Sequence, residues 1–379
     1  MKFRNLGKTG LSVSEIGLGC EHLDRKPFEQ TKETIDAALA QGTNFIDCFM
    51  PGKEVRENIM KTLGNRRKDI IIQGAVGSTD LEHQFDKSRD MPIVKRYFDD
   101  MIRIFGYVDI AMLFFVDSEK DFEDVFTDEY LGYVQSLKQK GDIRSIGVST
   151  HNPVIAKKTI ETGIPEVLFF SLNPAFDMLP VTEDAVGQMF SEFKPAMMQG
   201  IDPKRSELYQ LCEQKNVGIT VMKTIGGGKL LSAEHTPLSK PMTVSQCIHY
   251  ALTRPAVASV LVGCQTAAEV EEMMKYNSCS EEERDYSDIL GSMNKNYKGY
   301  CLYCNHCLPC PAKIDIADVM KHLDIARLAP NAIPASTTES YNKLSAKASD
   351  CTNCGSCESR CPFAVKITEN MEEAVKLFK

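Results

Sequence analysis

The fold of the last part of this chain is decided by two stretches, CLYCNHCLPCP at residues 301–311 and CTNCGSCESRCP at residues 351–362. The first has the spacing C-x2-C-x2-C-x2-C-P, and the second has the spacing C-x2-C-x2-C-x3-C-P. Two residues between thiolates let a tight loop point successive sulfurs at adjacent corners of one inorganic cluster. The pattern therefore predicts ligands of two 4Fe–4S clusters, namely Cys301, Cys304, Cys307, Cys310, Cys351, Cys354, Cys357 and Cys361.

The fourth cysteine of each run has a special role in two-cluster ferredoxins, where it ligates the other cluster. The resulting sets are Cys301, Cys304, Cys307 and Cys361 for one cluster, and Cys351, Cys354, Cys357 and Cys310 for the second. The first run departs from the usual pattern by one residue before its proline. Two structural zinc sites are the competing interpretation, but zinc does not explain three consecutive cysteines at two-residue gaps ending in Cys-Pro, twice. Two clusters in one small domain indicate a path for single electrons.

The remaining cysteines and the composition point to an ordinary cytoplasmic protein. Six of the 14 cysteines are dispersed singly, as buried small apolar residues usually are, and disulfides are not expected in a reducing compartment. The net charge of −8 argues against nucleic acid or anionic membrane as a partner. No apolar run reaches the roughly 18 residues of a membrane span, and the first residues lack the pattern of a secretion signal. We therefore expect a cytoplasmic location.

Upstream of the cysteines, short apolar runs alternate with helical patterns. Each predicted strand is β-branched and almost continuously apolar, as in parallel sheets that are covered on both faces. The predicted strands are Ile16–Gly19, Asn44–Asp47, Ile70–Gln73, Val108–Leu113, Ser145–Val148, Val167–Ser171, Gly218–Met222 and Val260–Val262. The predicted helices between them include Thr31–Ala40, Pro92–Phe105, Leu131–Lys140, Pro153–Glu161, Arg205–Lys215, Val244–Thr253 and Ala267–Lys275. Eight such units favour a (β/α)8 TIM barrel over an open doubly wound sheet.

The domain organisation follows from these patterns. A polar stretch at 280–298 predicts the boundary between a barrel at 1–290 and a small ferredoxin-like α+β domain at 291–379. Residues 7–10, Gly-Lys-Thr-Gly, form a glycine-bounded turn that predicts a hairpin ahead of the first barrel strand. The segment 173–204 is unusually long for a barrel loop, and such loops are usually functional or carry a helix of their own.

The barrel half resembles the aldo/keto reductases. The stretches that carry the resemblance lie in the order of that family, at 7–14 (GKTGLSVS), 16–19 (IGLG), 44–47 (NFID), 143–149 (IRSIGVS), 218–223 (GITVMK) and 257–263 (VASVLVG). With the cysteine-rich part, the whole chain is similar to a subgroup of that family that carries a C-terminal ferredoxin domain. The resemblance implies a TIM barrel in which NADPH delivers hydride to a carbonyl while a Tyr protonates its oxygen. It also implies a Lys that lowers the pKa of the Tyr, an Asp that holds the Lys, and a His that orients the carbonyl.

Three of these four catalytic positions are empty in this chain. Asp47 matches the Asp, but residues 50–52, where the Tyr is expected, read Met-Pro-Gly, and the first tyrosine of the chain is Tyr97. The third strand and its end, Ile72 to Val76, offer no lysine, and the fourth strand ends in Leu-Phe-Phe at 113–115 without a histidine. Because a positioned general acid contributes roughly 10²- to 10⁴-fold in rate, we do not expect the usual carbonyl reduction. Asp47 is either a carboxylate without its partner or a retained structural hydrogen-bonding group.

Other polar residues follow the predicted strands, at the end of a barrel where chemistry takes place. His22, Asp47 and His151 are the candidate catalytic residues, and a purely structural role for each histidine is the alternative. A mononuclear metal on Cys20, His22, Cys48 and His151 is a further alternative, suggested by ligand softness.

Cofactor contacts carry over only in part from the family. Ser149 matches the serine that contacts the carboxamide, and Lys223 with Gly226–Gly228 resembles the loop beside the pyrophosphate. Gly263 resembles the adenine-side loop, but neutral Gln265 stands where an Arg or Lys often binds the 2′-phosphate. The full set of predicted cofactor contacts is Ser149, Asn173, Lys223, Gly263 and Gln265, with Glu271 and Glu272 beside the adenine. NAD(P) and flavin both stay open as ligands.

The sequence therefore favours an oxygen-sensitive oxidoreductase in which two 4Fe–4S clusters exchange electrons with a small organic molecule or a second cofactor at the barrel mouth. A redox partner protein is expected. One alternative is a conventional NAD(P)H reductase with a relocated acid, such as His22 or Lys223. The other is a catalytically silent electron carrier that uses the barrel as a scaffold for a partner.

Overall fold

Eight parallel strands close into a barrel in the computed structural model, which describes residues 1–83, 86–182, 200–293 and 298–378. The strands are β1 (Phe3–Asn5), β2 (Ser12–Ser14), β3 (Ile16–Gly19), β4 (Phe45–Cys48), β5 (Ile71–Val76), β6 (Ser78–Thr79), β7 (Asp86–Lys87), β8 (Val108–Leu113), β9 (Ile143–Thr150), β10 (Val167–Ser171), β11 (Gly218–Met222) and β12 (Val257–Gly263). The barrel order is β3-β4-β5-β8-β9-β10-β11-β12, with β12 pairing back to β3. This confirms the predicted (β/α)8 barrel.

Helices follow the barrel strands and cover the outside. They are α1 (Phe28–Ala40), α2 (Lys53–Leu63), α3 (Met91–Phe105), α4 (Glu119–Val125), α5 (Asp128–Lys140), α6 (Pro153–Glu161), α7 (Pro174–Met178), α8 (Pro203–Gln214), α9 (Val244–Leu252) and α10 (Ala267–Met274). Short helices α11 (Glu281–Arg284) and α12 (Ser287–Gly291) come next. Helices α2 and α4 were not predicted from the sequence, and part of the long 173–204 segment lies outside the described residues.

The cysteine-rich part consists of helices joined by the cysteine loops. Its helices are α13 (Ile316–Leu328), α14 (Ala335–Asn342), α15 (Ser356–Arg360) and α16 (Ile367–Leu377). Helix α13 packs on α8 of the barrel, and α16 packs back on α13. The boundary at residue 290 stays a prediction, and it falls inside α12. No helix within the described residues is long and apolar enough to cross a membrane.

Apolar side chains fill the interior of the barrel and close it at one end. Phe45, Ile110 and Phe169 point from different strands into one buried group, which also includes Leu6 and Val13 of the N-terminal hairpin. The hairpin, β1 paired antiparallel with β2, was predicted from its glycine-bounded turn. Since the hairpin seals the end where the strands begin, the space for a ligand is at the other end.

The hairpin turn lies very close to the start of β11. The amide of Lys8 donates to the carbonyl of Asn216 at 2.8 Å. A Cβ added to Gly7 would lie only 2.3 Å from the backbone nitrogen of Gly218, whereas a Cβ on Gly10 would meet nothing within 4 Å. Both glycines have positive φ, 51° and 75°, so a side chain at either position would strain the backbone. Only at Gly7 would the added Cβ also clash with neighbouring backbone atoms.

We expect Gly7→Ala to destabilise the protein more than Gly10→Ala. Each variant carries the cost of a left-handed non-glycine residue, about 1 kcal/mol, and Gly7→Ala adds a clash with backbone that costs roughly 1–3 kcal/mol more. Urea unfolding of both variants under anaerobic conditions measures the difference. Equal destabilisation by the two substitutions would show that the backbone of Gly7 does not pack closely against Gly218.

Candidate functional site

A cavity of about 780 Å³ opens at the end of the barrel where the strands finish. Eight of the predicted site residues line it, namely His22, Asp47, Ser149, His151, Lys223, Gly263, Gln265 and Glu272. Its size is that of a cofactor or substrate site. The structure thus brings together most of the residues selected from the sequence, and their roles stay predictions.

Asp47 lies at the end of β4 and is almost completely buried. Its carboxylate accepts a hydrogen bond from the Gln73 amide at 2.9 Å, and the Gln73 carbonyl oxygen accepts one from the Thr220 hydroxyl at 3.1 Å. Burial raises the pKa of Asp47 from 3.8 to about 7, although the bond from Gln73 acts in the opposite direction. The hydrogen-bond partner of Asp47 is therefore a neutral amide, and Asp47 can carry a proton near neutral pH.

His151 is held by an aspartate that the sequence analysis did not select. Nδ1 of His151 lies 3.1 Å from Oδ2 of Asp117, and the His151 backbone amide donates to Asp117 Oδ1 at 2.6 Å. Burial would raise the pKa of Asp117, but the interactions with His151 outweigh burial and lower it. Nε2 of His151 is buried and has no hydrogen-bond partner among the described residues. Because His151 lines the cavity, this pair has the arrangement of an acid–base group oriented by a carboxylate.

Aromatic rings form one wall of the cavity. The rings of Phe49 and Phe114 stack with their centroids 5.8 Å apart, and Phe114 stacks on Phe115 at 3.9 Å. Phe115 in turn meets the His151 ring edge-on at 4.9 Å. The described residues of the lining include no tyrosine, and Lys223 is their one lysine. This wall of the cavity is therefore apolar and aromatic.

Lys223 stands on a strained turn after β11. Its backbone has φ of 61°, a conformation that costs a non-glycine residue free energy and often marks functional sites. The side-chain amide of Asn173 donates to the Lys223 carbonyl at 2.8 Å, and the Lys223 ammonium lies 3.7 Å from a carboxylate oxygen of Glu21. Asn173 itself is fully buried, caps α7 and is absent from the cavity lining. Its place in the structure is that of a residue that positions Lys223.

The other predicted cofactor contacts lie on the rim and the wall. Ser149 Oγ accepts a hydrogen bond from the Phe115 amide at 2.9 Å. The exposed His22 ring lies against Gly263, since a Cβ there would come within 2.9 Å of it. The Gln265 backbone amide donates to Glu269 at 2.6 Å. Glu269 and Glu272 line the cavity, but Glu271 is not among the lining residues.

Cys20 and Cys48 are packed into the barrel wall. Both are fully buried, and neither is among the residues that line the cavity. Burial raises the pKa of Cys48 to about 12 and that of Cys20 well above its usual range. Within the described ranges, no group of three or more His, Cys, Asp or Glu is placed to hold a single metal ion. The structure therefore does not assemble the alternative mononuclear site.

Two small cavities in the C-terminal part each have four cysteines in their walls. One is lined by Cys301, Cys304, Cys307 and Cys361, and the other by Cys310, Cys351, Cys354 and Cys357. These sets are the two that the ferredoxin pattern implies. A 4Fe–4S cluster is held by four cysteine thiolates. Each cavity has four cysteines in its wall, so the residues present fit one cluster in each cavity.

The two cluster cavities differ in their surroundings. Cys354 beside the second cavity is exposed. The first cavity faces the barrel, because the carbonyl of Leu302 accepts a hydrogen bond from the Tyr286 hydroxyl at 2.7 Å and another from Arg254. Arg360 joins the two cysteine loops through bonds to the carbonyls of Cys307 at 2.7 Å and Pro309 at 2.6 Å. The first cavity is thus the one next to the barrel.

Comparison with known proteins identifies both parts of the chain. The profile of the aldo/keto reductase family matches residues 15–246, which is more than half of the chain. The chain belongs to the aldo/keto reductase family. A second profile, that of a 4Fe-4S dicluster domain, matches residues 300–366. The protein is therefore an oxidoreductase of the aldo/keto reductase type with a C-terminal iron–sulfur domain, as the sequence predicted.

Its relatives within the family are distant and match the barrel. The chain is 24% identical to the uncharacterized oxidoreductase YqkF of Bacillus subtilis, over 72% of this chain and 90% of that protein. It is 26% identical to L-galactose dehydrogenase of Arabidopsis thaliana, over 72% of this chain and 86% of that protein. Among solved structures, aldo-keto reductase AKR11C1 from Bacillus halodurans in its holo form superimposes with a TM-score of 0.58 at 21% identity, covering 77% of this chain and 96% of that chain.

The cysteine partition predicts which pairs of substitutions act on the same cluster. With both cavities filled, we expect about eight irons per chain. The double variant Cys301→Ala/Cys361→Ala should keep about four, because both residues line the first cavity. Cys351→Ala/Cys361→Ala should lose nearly all iron, since it opens both cavities. Iron and sulfide analysis of anaerobically purified protein measures this. The reverse pattern would mean that each run of cysteines holds its own cluster.

The raised pKa of Asp47 predicts how stability depends on pH. As pH rises from 5 to 7, the unfolded state releases the Asp47 proton while the folded state keeps it, so the free energy of unfolding should fall by roughly 1.4 kcal/mol per pH unit. In Asp47→Asn this fall in the free energy of unfolding should be absent. The stability of the variant relative to the wild type should therefore increase as the pH rises to 7. Urea unfolding between pH 5 and 8 tests this, with the exposed Glu161→Gln as the control. An unchanged slope in Asp47→Asn would show that Asp47 ionises normally.

Proposed function

We propose that this protein is an iron–sulfur oxidoreductase in which electrons pass between two 4Fe–4S clusters and a ligand in the strand-end cavity. In this proposal the reaction does not use the Tyr, Lys and His of ordinary carbonyl reduction. The observation that carries the proposal is the composition of the cavity wall. Asp47 and His151 are buried, titratable groups in that wall, and none of the described residues that line the cavity is a tyrosine. Each bound cluster would supply or accept one electron.

Reduction of an organic ligand by electrons requires protons as well, and two groups in the wall can provide them. Asp47 keeps its proton up to about pH 7 because it is buried beside a neutral amide. His151, oriented by Asp117 through Nδ1, presents Nε2 as a donor or acceptor. A conjugated carbonyl that takes up two electrons and two protons becomes an alcohol. The step balances when the carboxylic acid of Asp47 gives one proton and becomes a carboxylate, and the imidazolium form of His151 gives the other and becomes neutral imidazole.

The path from the first cluster cavity into the barrel begins at the carbonyl of Leu302. This carbonyl accepts a bond from the Tyr286 hydroxyl at 2.7 Å, and the Tyr286 ring meets the Tyr250 ring with centroids 5.2 Å apart. The Tyr250 hydroxyl donates to Asp177 Oδ2 at 2.7 Å. All these side chains are buried. The contacts support electron exchange because tunnelling is more efficient through packed and hydrogen-bonded atoms than across a gap.

The same path continues from Asp177 to the cavity. The Asp177 amide donates to the carbonyl of Asn173 at 3.0 Å, and the Asn173 side chain donates to the carbonyl of Lys223 at 2.8 Å. Lys223 lines the ligand cavity. A continuous series of contacts therefore joins the first cluster cavity to the ligand cavity, and we propose it as the route of the electron.

The aromatic wall suggests the shape of the ligand. Stacked rings at Phe114 and Phe115 offer a flat apolar surface, which suits a planar conjugated substrate or a flavin. We propose a small organic molecule as the substrate, with flavin as the alternative occupant, and a separate redox partner protein that exchanges electrons at the second cluster, where Cys354 is exposed.

A conventional NAD(P)H reductase is the second candidate, and it is favoured by the predicted cofactor contacts in the cavity lining. Ser149, Lys223, Gly263 and Gln265 all line the cavity, and L-galactose dehydrogenase is among the relatives. Under this proposal His22 or Lys223 would serve as the relocated acid. Gln265 offers no charge for a 2′-phosphate, so NADH would be preferred to NADPH.

The proton role of His151 predicts a slow variant. We expect dithionite-reduced protein, freed of excess dithionite, to be reoxidised by members of a panel of small aldehydes and conjugated ketones, with two electrons consumed per product. His151→Gln should slow this roughly 10²- to 10⁴-fold without loss of iron, while His83→Gln, an exposed histidine outside the lining, should not. Anaerobic stopped-flow spectroscopy of the cluster absorbance measures the rates.

Three outcomes would contradict the proposal. Equal rates in His151→Gln, Asp47→Asn and the wild type would remove the proton role. Turnover of the panel with NADH or NADPH by iron-depleted protein would establish the conventional reductase. A reduced protein that no panel member and no flavin reoxidises would favour the silent electron carrier.

A further inference from the structure

Arg254 is a buried cation at the junction of the barrel and the cysteine-rich domain. It follows α9 and precedes β12, and 4% of its surface is exposed. Its Nη2 donates to the Thr253 hydroxyl at 3.0 Å, to the Tyr286 hydroxyl at 2.9 Å and to the carbonyl of Leu302. The guanidinium also lies over the Tyr250 ring, 4.2 Å from its centroid, and 5.1 Å from that of Tyr303.

The partners of Arg254 in the described part of the chain are neutral. Two other buried arginines contrast with it, since Arg67 lies 3.1 Å from a carboxylate oxygen of Asp109 and Arg205 lies 3.7 Å from one of Asp177. No such pair involves Arg254 within the described residues, and its Nε has no hydrogen-bond partner there. A buried charge is costly unless an opposite charge lies near it. Burial acts to lower the pKa of Arg254, whereas the charge of Asp177 favours the charged form and raises it. Asp177 forms its ion pair with Arg205, however, so no described carboxylate contacts the Arg254 guanidinium directly.

The wall of the first cluster cavity lies next to this guanidinium. Leu302, whose carbonyl Arg254 holds, is between Cys301 and Tyr303 in the chain and lines that cavity. A 4Fe–4S core on four thiolates carries a net negative charge that grows by one unit on reduction. A cluster bound in this cavity would place that negative charge next to the Arg254 guanidinium.

We propose that Arg254 is the charge partner of the cluster held by Cys301, Cys304, Cys307 and Cys361, and that it raises the reduction potential of this cluster above that of the second. A cation stabilises the more negative, reduced form, and it does so strongly where water is excluded. Local charge and burial are among the known determinants of cluster potential.

The proposal gives the pair of clusters a direction. One electron enters the second cluster, beside exposed Cys354, from a low-potential one-electron donor. Transfer then oxidises the second cluster by one unit and reduces the first by one, with no proton or bond change. The electron comes to rest next to the barrel. This inference rests on occupancy of the clusters and not on delivery to the cavity, so the two can fail separately.

The test is the pair of cluster midpoint potentials, measured by EPR-monitored redox titration. In Arg254→Met we expect one of the two potentials to fall so that reduction becomes at least tenfold less favourable, which is 59 mV for one electron. The other potential and the content of about eight irons should be unchanged. Arg56→Met is the matched control. Like Arg254, Arg56 is buried and donates hydrogen bonds to backbone carbonyls, those of Met50 and Tyr97. Unlike Arg254, it belongs to the barrel unit on the side opposite α8 and α9.

Arg254→Lys separates charge from hydrogen bonding. A lysine that restores most of the lost potential supports the proposal, because it keeps the charge with fewer donors. Unchanged potentials in Arg254→Met with full iron content would overturn it, as would an equal fall of both potentials. If Arg254→Met does not load iron, loading by Arg254→Lys with near wild-type potentials supports the charge role. Failure of both variants to load would reduce Arg254 to a structural hydrogen-bond donor and overturn the proposal.

Discussion

The carbonyl of Leu302 receives two buried hydrogen bonds, from the Tyr286 hydroxyl and from Arg254, and these bonds fix the cysteine loops to the barrel. The carbonyl belongs to the residue after Cys301, so its position sets the position of the first cluster cavity. Both donors come from the barrel side, where each also contacts the Tyr250 ring. A buried carbonyl without donors would destabilise the fold, and the junction therefore holds only when both halves are folded. Together with the packing of α13 on α8, this interaction sets the location of the cluster cavities relative to the ligand cavity.

Much of the barrel could be predicted from the sequence because its strands are covered on both faces. Val108–Leu113, Val167–Ser171 and Gly218–Met222 were predicted with the bounds that the structure has, since continuous apolar runs bounded by polar turns leave little choice. Helix α2 was missed, because polar residues dominate the sequence KEVRENIMKTL and its buried face depends on α1 and α3. Such a helix is decided by tertiary packing more than by its own pattern.

The candidate site was predictable as a set of residues but not as a set of partners. Residues at strand ends converge in any barrel, which is why Asp47 and His151 could be selected from their place in the sequence. The pairings Asp47–Gln73 and His151–Asp117 depend on which side chains of neighbouring strands face each other. Asn173 shows the same limit, because it was expected at the cofactor and instead lies beneath the turn at Lys223. A signal for Asp117 did exist, since it follows the fourth barrel strand closely, in the position where strand-end loops carry chemistry.

The amide of Gln73 at Asp47 is better suited to an electron-fed reaction than to hydride transfer. A lysine beside Asp47 would hold the carboxylate ionised, and that pair serves a neighbouring tyrosine by lowering its pKa. The group that contacts Asp47 in this chain is the neutral amide of Gln73, and burial keeps Asp47 protonated to about pH 7. A ligand that gains electrons one at a time becomes more negative with each of them, and in a site walled by Phe114 and Phe115 that charge is poorly solvated. The ligand then takes a proton from the nearest acid, and a neutral carboxylic acid supplies it without first breaking an ion pair. Under the proposed function, the hydrogen bond from Gln73 to Asp47 would thus leave Asp47 able to provide the proton that electron transfer to a buried ligand demands.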